Sequence, residues 1–373
     1  MQSDTFVRPE IKDFSPYSPG LSIDEIREKY ALQRVIKMAS NENPLGVSPL
    51  VQKTLAKHIG GVFRYPRSGS PDLRAALARH LDVPEEWIVA GNGSDEIIDL
   101  LIRVKARPGK DHVLLFEPSF SMYRLLARLC GVEVRTIPLD EDFHFPWVRM
   151  LQSVTEETAV VFVTTPDNPT GYAPEVQELE SVAGQLPPHV LLVVDEAYMD
   201  FARPMDEYTL LPRLKDMPNV VVLRTFSKLY GLAGLRLGYG VMPPWLADAL
   251  IRVKPPFSVN ILAEVAGTAA LQDIDFTRAT LDCVITGRTY LATELERMGC
   301  RVFPSQANFL LFKLGRANRN ELSAQHVFQE LLRRGVIIRP LKSYGLDEYL
   351  RVSIGTEEEN QIFIREIEAV LHG

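Results

Sequence analysis

Four short runs of consecutive apolar side chains constrain the fold of this chain more than any other feature. Val113 to Phe116, Val160 to Val163, Val190 to Val194 and Val220 to Leu223 contain no polar residue and are bounded by polar or turn residues. A strand with one wet face alternates apolar with polar, so uninterrupted runs of this length belong to strands buried on both faces. Helical stretches separate them. Strands alternating with helices predict an α/β fold with a largely parallel sheet and right-handed crossovers. At 373 residues the chain is too long for one ordinary core, so two domains or one large α/β domain are expected.

The flanking segments fill in this frame. A proline-marked arm runs from Asp13 to Gly20, followed by a predicted helix from Ile23 to Tyr30 and the polar loop Ser40 to Gly46. Ser70-Pro71-Asp72 predicts a helix start, with serine as cap, proline in the first turn and Leu73, Leu77 and Leu81 along one face. After Pro255-Pro256 the pattern changes to a long helical stretch from Ala263 to Met298. It is followed by strand-like runs at Phe309 to Phe312, Val336 to Ile338 and Leu350 to Ile354. The expected division is an arm (1–46) that completes a smaller α+β domain (256–373), with a large domain (47–255) between them.

In open α/β sheets ligands bind beyond the carboxyl ends of the strands. Asp195 follows Val190 to Val194, with Tyr198 close behind, and reads either as a helix cap or as a buried functional carboxylate. Beyond Val160 to Val163 comes the turn Thr164 to Gly171, which holds the Asn168 amide between Pro166 and Pro169. Beyond Val220 to Leu223 come Arg224, Thr225, Phe226, Ser227 and Lys228. A lysine there is either a solvated loop residue or a Schiff-base former. Ser227 and Arg236 supply a hydroxyl and a guanidinium suited to a dianionic phosphate. Ile88-Val89-Ala90 leads through Gly91-Asn92-Gly93 to Ser94, Asp95 and an apolar helix, whose free N–H groups suit an anion. Glu96 stands where a dinucleotide fingerprint needs its third glycine, so that motif is incomplete.

Composition excludes several classes. A net charge of −7 argues against a general nucleic-acid binder. Cys130, Cys283 and Cys300 lack knuckle or redox spacing, and the seven histidines contain no ligand pair, so no metal is expected. The polar stretch Met1 to Pro9 has no signal core, and no apolar run reaches the roughly 18 residues that span a bilayer. The expected compartment is the cytoplasm.

The run Ser227-Lys228 through Ala233-Gly234, Arg236 and Gly238-Tyr239 resembles the lysine signature of fold-type I pyridoxal-phosphate enzymes. Asn168-Pro169-Thr170-Gly171 and Asp195-Glu196-Ala197-Tyr198 precede it in the order of that fold. A closer resemblance, over nearly the whole chain, is to the histidinol-phosphate aminotransferase family. It is carried by Tyr17 with Pro19-Gly20, by Ala39 to Gly46, by Arg64-Tyr65-Pro66 and by Leu350 to Thr356.

The resemblance implies a large domain with a mostly parallel seven-stranded sheet, a smaller α+β domain and pyridoxal 5′-phosphate as cofactor. It implies that Lys228 forms the Schiff base and shuttles a proton between substrate Cα and cofactor C4′. Asp195 would pair with the pyridine nitrogen, and Asn168 and Tyr198 would bond the phenolic oxygen. Phe120 would stack on the ring, or else serve as a core residue. Ser94, Asp95, Thr225, Ser227 and Arg236 would hold the phosphate. Tyr65 would reach the cofactor phosphate of a partner subunit, which implies a homodimer. Arg351, with Tyr17 and Arg339, would bind the substrate's anionic groups, although Arg339 also reads as a strand-end surface cation. The implied reaction converts L-histidinol phosphate and 2-oxoglutarate to imidazole acetol phosphate and L-glutamate. The alternatives are an aromatic or broad-specificity aminotransferase and a phosphothreonine decarboxylase.

Overall fold

The apolar runs become the centre of one sheet. The computed structural model describes residues 11, 14, 21–315 and 322–372. In chain order its strands are β1 (Ile36–Lys37), β2 (Ile88–Asn92), β3 (His112–Glu117), β4 (Glu133–Pro138), β5 (Thr158–Thr164), β6 (Leu191–Asp195) and β7 (Val220–Thr225). Then come β8 (Leu237–Val241), β9 (Arg301–Val302), β10 (Phe309–Lys313), β11 (Val336–Ile337), β12 (Arg339–Leu341) and β13 (Leu346–Ser353). Seven of them form a sheet in the order β2-β8-β7-β6-β5-β3-β4. The pairings from β7 through β4 are parallel, and β8 is antiparallel to both its neighbours.

Alternation along β5 and β6 explains why the stretches Val160 to Val163 and Leu191 to Val194 lack polar residues. Val161, Val163, Leu192 and Val194 join the core on one face, while Val160, Phe162, Leu191 and Val193 join the core on the other. Each such side chain contributes roughly 1.5–3 kcal/mol when fully buried. The sheet is thus a stiff platform for whatever stands just past its carboxyl edge.

Two strands of this sheet lie outside the four apolar runs and the Ile88 to Ala90 stretch. β4 forms an edge, with exposed and less exposed residues alternating. β8 is Leu237-Gly238-Tyr239-Gly240-Val241, a glycine-rich stretch that strand propensity disfavours. Its glycine has a packing reason: a Cβ on Gly238 would lie 2.4 Å from the Ser94 nitrogen. Only glycine lets the helix Ser94–Lys105 begin against this strand.

Two helix expectations are corrected. Ser70 does precede a helix, Pro71–Leu81, but it adopts the left-handed conformation and makes no side-chain cap. Its hydroxyl instead donates to the buried Glu264 carboxylate at 2.7 Å. The stretch expected from Ala263 to Met298 is two helices, Ile261–Ala270 and Ile274–Arg297. The second is started by Asp273, whose side chain accepts from the Phe276 N–H. The first lies past the expected boundary at 255/256 yet packs on Pro49–His58 and Pro71–Leu81, next to the large sheet.

The remaining strands form a four-stranded antiparallel sheet, β12-β13-β10-β9, and a parallel pair of β1 with β11. The arm is anchored by Ile36 N–H to Gly335 O, Met38 N–H to Ile337 O and Ser353 N–H to Met38 O, each 2.8 Å. Residues 38–41 therefore run from the second sheet toward the carboxyl edge of the first. Among the described residues no helix is long and apolar enough to cross a membrane, and no cluster of His, Cys, Asp and Glu could hold a metal.

Candidate active site

The carboxyl ends of β5, β6 and β7, with the turns behind β2 and β3, enclose a cavity of about 150 Å³. Ser94, Asp95, Phe120, Asn168, Asp195, Tyr198, Thr225, Ser227, Lys228 and Arg236 all line it. These residues are far apart in the chain. Backbone bonds past the strand ends, Thr165 N–H to Asp195 O and Glu196 N–H to Leu223 O (both 2.9 Å), hold the rim in register.

Asp195 is buried, and it does not cap a helix, because the short helical turn that follows, Met199–Phe201, begins after Tyr198. Oδ1 accepts the Ala197 N–H at 3.1 Å and Oδ2 accepts the Tyr123 hydroxyl at 2.7 Å. Burial pushes its pKa up to about 6, against the pull of these two donors.

Lys228 faces the same cavity. Its Nζ donates to Ser40 O at 3.3 Å and lies 5.4 Å from the Tyr198 ring centre. Burial, together with the Arg351 and Arg236 charges, lowers its pKa to about 8, opposed by Glu42 and Asp95. A lysine so tuned is neutral for an appreciable fraction of the time near neutral pH, as a base or nucleophile must be.

Between the two stands a hydrogen-bonded cluster. The Tyr198 hydroxyl accepts from Asn41 Nδ2 at 3.2 Å and Asn168 Nδ2 at 3.4 Å. Asn168 Oδ1 in turn accepts from Arg351 Nη1 at 2.5 Å, and Arg351 Nη2 donates to Ala39 O at 3.1 Å. Arg351 is buried with its guanidinium over the Phe309 ring. The arm therefore touches both the lysine and the arginine.

At the far end, helix Ser94–Lys105 starts after Gly93, with φ +76° and no side-chain cap. Its first N–H groups lack intrahelical partners and sit at the positive end of the helix dipole. Arg236, itself at φ +54°, bonds Asp95 Oδ2 at 2.8 Å. A Cβ on Gly93 would lie 2.6 Å from Arg236 Nη2, so glycine is what lets the guanidinium close over this turn. An uncapped helix start beside a guanidinium, a buried carboxylate and a pKa-lowered lysine in one small cavity suit pyridoxal phosphate, a flat ring bearing a phosphate, a basic nitrogen and an aldehyde.

Tyr65, Arg339 and Arg351 are not part of the cavity lining. Tyr65 is 81% exposed, its ring stacked on Phe257. Arg339 is partly exposed and is the register partner of Arg351 in the β12–β13 ladder, which puts both side chains on one face. Tyr17 lies outside the described residues. Phe120 is half-buried, meets Tyr123 edge-on, packs against the core on one face of the sheet and also lines the cavity.

Several contributors carry no sequence signal of their role. Tyr123 and Asn41 read as a helix residue and a loop amide. Thr164 lines the cavity and bonds the Tyr123 hydroxyl at 2.8 Å. Behind the wall, Arg224 bonds Glu196 at 2.7 Å and Asp200 at 2.9 Å while almost fully buried. Burial opposes its charge, yet the two carboxylates hold its pKa above the ordinary value.

The chain belongs to the class I and II aminotransferases, whose family model matches residues 33–367. It is a pyridoxal-phosphate-dependent enzyme of that family. Its particular likeness is to histidinol-phosphate aminotransferases. It is 57% identical to the one from Oleidesulfovibrio alaskensis, over 99% of this chain and 96% of that protein. It is 56% identical to that of Nitratidesulfovibrio vulgaris strain Hildenborough, over 98% and 96%. The fold is similar to the crystal structure of the Sinorhizobium meliloti enzyme in complex with pyridoxal-5′-phosphate. The TM-score is 0.84 at 26% identity, over 96% of this chain and 98% of that one.

Proposed function

We propose that this enzyme transfers the amino group of L-histidinol phosphate to 2-oxoglutarate, giving imidazole acetol phosphate and L-glutamate in histidine biosynthesis. The observation that carries the reading is the arginine pair on one sheet face, Arg351 against Asn168 and Arg339 opposite it in register. One cation matches a monocarboxylate. A phosphate monoester dianion, or the two carboxylates of glutamate, calls for two. Tyr17 belongs to the same substrate site in this reading.

When bound, pyridoxal phosphate supplies the electron sink that stabilises negative charge at substrate Cα. Lys228 would remove the Cα proton and return it at cofactor C4′. Asp195 would keep the ring nitrogen protonated. Asn168 and Tyr198 would bond the phenolic oxygen, with Phe120 beside the ring. The Ser94 and Asp95 N–H groups, Thr225, Ser227 and Arg236 would hold the phosphate. The arm (1–46) and residues 256–373 act as the smaller unit against 47–255, except that the helix Ile261–Ala270 stays with the larger one.

The enzyme works as a homodimer in the cytoplasm, with Tyr65 reaching the partner's cofactor phosphate. Support for the dimer comes from Ile59, Val62, Phe63 and Tyr65, each more than half exposed within one short segment.

The test is a kcat/KM panel on the holoenzyme with L-histidinol phosphate, L-phenylalanine and L-phosphothreonine. Histidinol phosphate is expected to lead, and Arg339→Gln to lower its kcat/KM more than that of phenylalanine. A preference for phenylalanine, or carbon dioxide release from phosphothreonine, overturns the substrate assignment.

A further inference from the structure

One buried phenol is not used by the roles above. Tyr123 is 1% exposed, and its hydroxyl lies between Thr164 Oγ1 at 2.8 Å and Asp195 Oδ2 at 2.7 Å. We propose that Tyr123 is a positioning residue that acts through Asp195, fixing the orientation and charge of the carboxylate that meets the cofactor's ring nitrogen. The inference rests on the reading of Asp195 as the partner of that nitrogen.

The direction of the hydrogen bonds follows from inventory. An ionised carboxylate only accepts, so the single phenolic proton goes to Asp195 and the Thr164 hydroxyl donates to the phenolic oxygen. The result is a one-way chain, Thr164 to Tyr123 to Asp195, in which each bond polarises the next. With Ala197 N–H on Oδ1 and Tyr123 on Oδ2, the carboxylate is gripped through both oxygens and cannot rotate freely.

Charge is the second effect. Burial and the nearby Asp95 and Glu196 carboxylates favour the neutral form of Asp195, whereas the Tyr123 and Ala197 donors favour the ionised one. Glu196 cannot replace Asp195, since both its oxygens are engaged by Arg224, Thr209 and the Leu210 N–H. Without the phenol, Asp195 loses its only side-chain donor among the described residues and becomes more basic.

The phenol is also held in place. Its ring stacks on Phe162 with centroids 4.7 Å apart and meets Phe120 edge-on at 5.5 Å. Phe120 immediately precedes the helix Ser121–Leu129 that carries Tyr123. One helical turn therefore sets both the cavity's aromatic wall and the donor to Asp195.

The experiment compares wild type with Tyr123→Phe, Thr164→Val and Asp195→Asn as holoenzymes. It measures pyridoxal-phosphate affinity, the pH titration of the visible absorption band, and kcat separately from KM. A more basic Asp195 draws the ring proton toward itself, and the less positive ring repels a proton on the Lys228 nitrogen less. Tyr123→Phe is therefore expected to raise the band's pKa, weaken cofactor affinity and lower kcat about tenfold with KM nearly unchanged, as for a lost bond to a charged group.

Thr164→Val should move the band the same way by less, and it carries the test if Tyr123→Phe does not fold. Asp195→Asn separates the two claims. If it perturbs band and affinity while Tyr123→Phe and Thr164→Val match wild type, the Tyr123 inference is wrong. If Asp195→Asn itself matches wild type, the reading of Asp195 is wrong.

Discussion

Replacing Lys228 with methionine should stabilise the cofactor-free protein. The side chain is forced to keep an amine in a place where burial and the Arg351 charge disfavour its protonated form, lowering its pKa from 10.5 to about 8. An unfolded chain holds that proton up to about pH 10.4. Below pH 8 both states are protonated and the folded state bears the full penalty. Between pH 8 and 10.5 the folded state loses its proton first, and above that range the penalty is gone.

At about 1.36 kcal/mol for each pH unit, a 2.5-unit depression corresponds to about 3 kcal/mol. Lys228 is only partly buried, because it opens on the cavity, and water there screens the field. The expected gain for Lys228→Met at pH 7 is accordingly about 1–3 kcal/mol. Urea unfolding of both apoproteins at pH 7 and pH 10 measures it. The gap should be large at pH 7 and shrink toward pH 10. A methionine variant no more stable at pH 7, or a gap unchanged with pH, would refute the desolvated-lysine argument. Arg351→Gln in the same series should raise the Lys228 pKa and reduce the gain.

Other perturbations test the rest of the architecture. Arg236→Gln would remove the charged bond proposed to the phosphate, so cofactor affinity should fall roughly 10- to 100-fold, with kcat preserved at saturating cofactor; equilibrium dialysis reads this directly. Gly93→Ala places a Cβ 2.6 Å from Arg236 Nη2 at φ +76° and should weaken cofactor affinity at least as much, whereas wild-type affinity would contradict the cradle. Arg224→Met leaves Glu196 and Asp200 buried without their cation and should destabilise the holoenzyme by about 3–5 kcal/mol in urea unfolding. Adding Glu196→Gln should recover part of that loss, and a change below about 1 kcal/mol would mean that the network is not needed for stability.

The inner parallel strands could be read from sequence because burial on both faces strips them of polar residues, as in Val160 to Val163, whereas the edge strand β4 alternates and could not. β8 could not, because Gly238 is there to admit the Ser94 nitrogen, a constraint set by a segment distant in the chain. The same holds for Ser70, whose local context suits a helix cap but whose hydroxyl is taken by Glu264, 194 residues away. Residues with chemistry at strand ends stood out: Asp195, Asn168, Lys228 and Arg236 line one cavity as expected. Their supports did not. Asn41 meets Tyr198 across 157 residues and Tyr123 meets Asp195 across 72, and nothing local to either residue encodes such a pairing.

The most direct test of the central claim is a single half-reaction. Holoenzyme is mixed with L-histidinol phosphate in the absence of any keto acid, and imidazole acetol phosphate is quantified against active sites, for wild type and for Lys228→Ala. Wild type is expected to give stoichiometric product with loss of its visible band, and Lys228→Ala to retain the cofactor and give none. Product at the wild-type rate from Lys228→Ala would contradict the role assigned to that lysine.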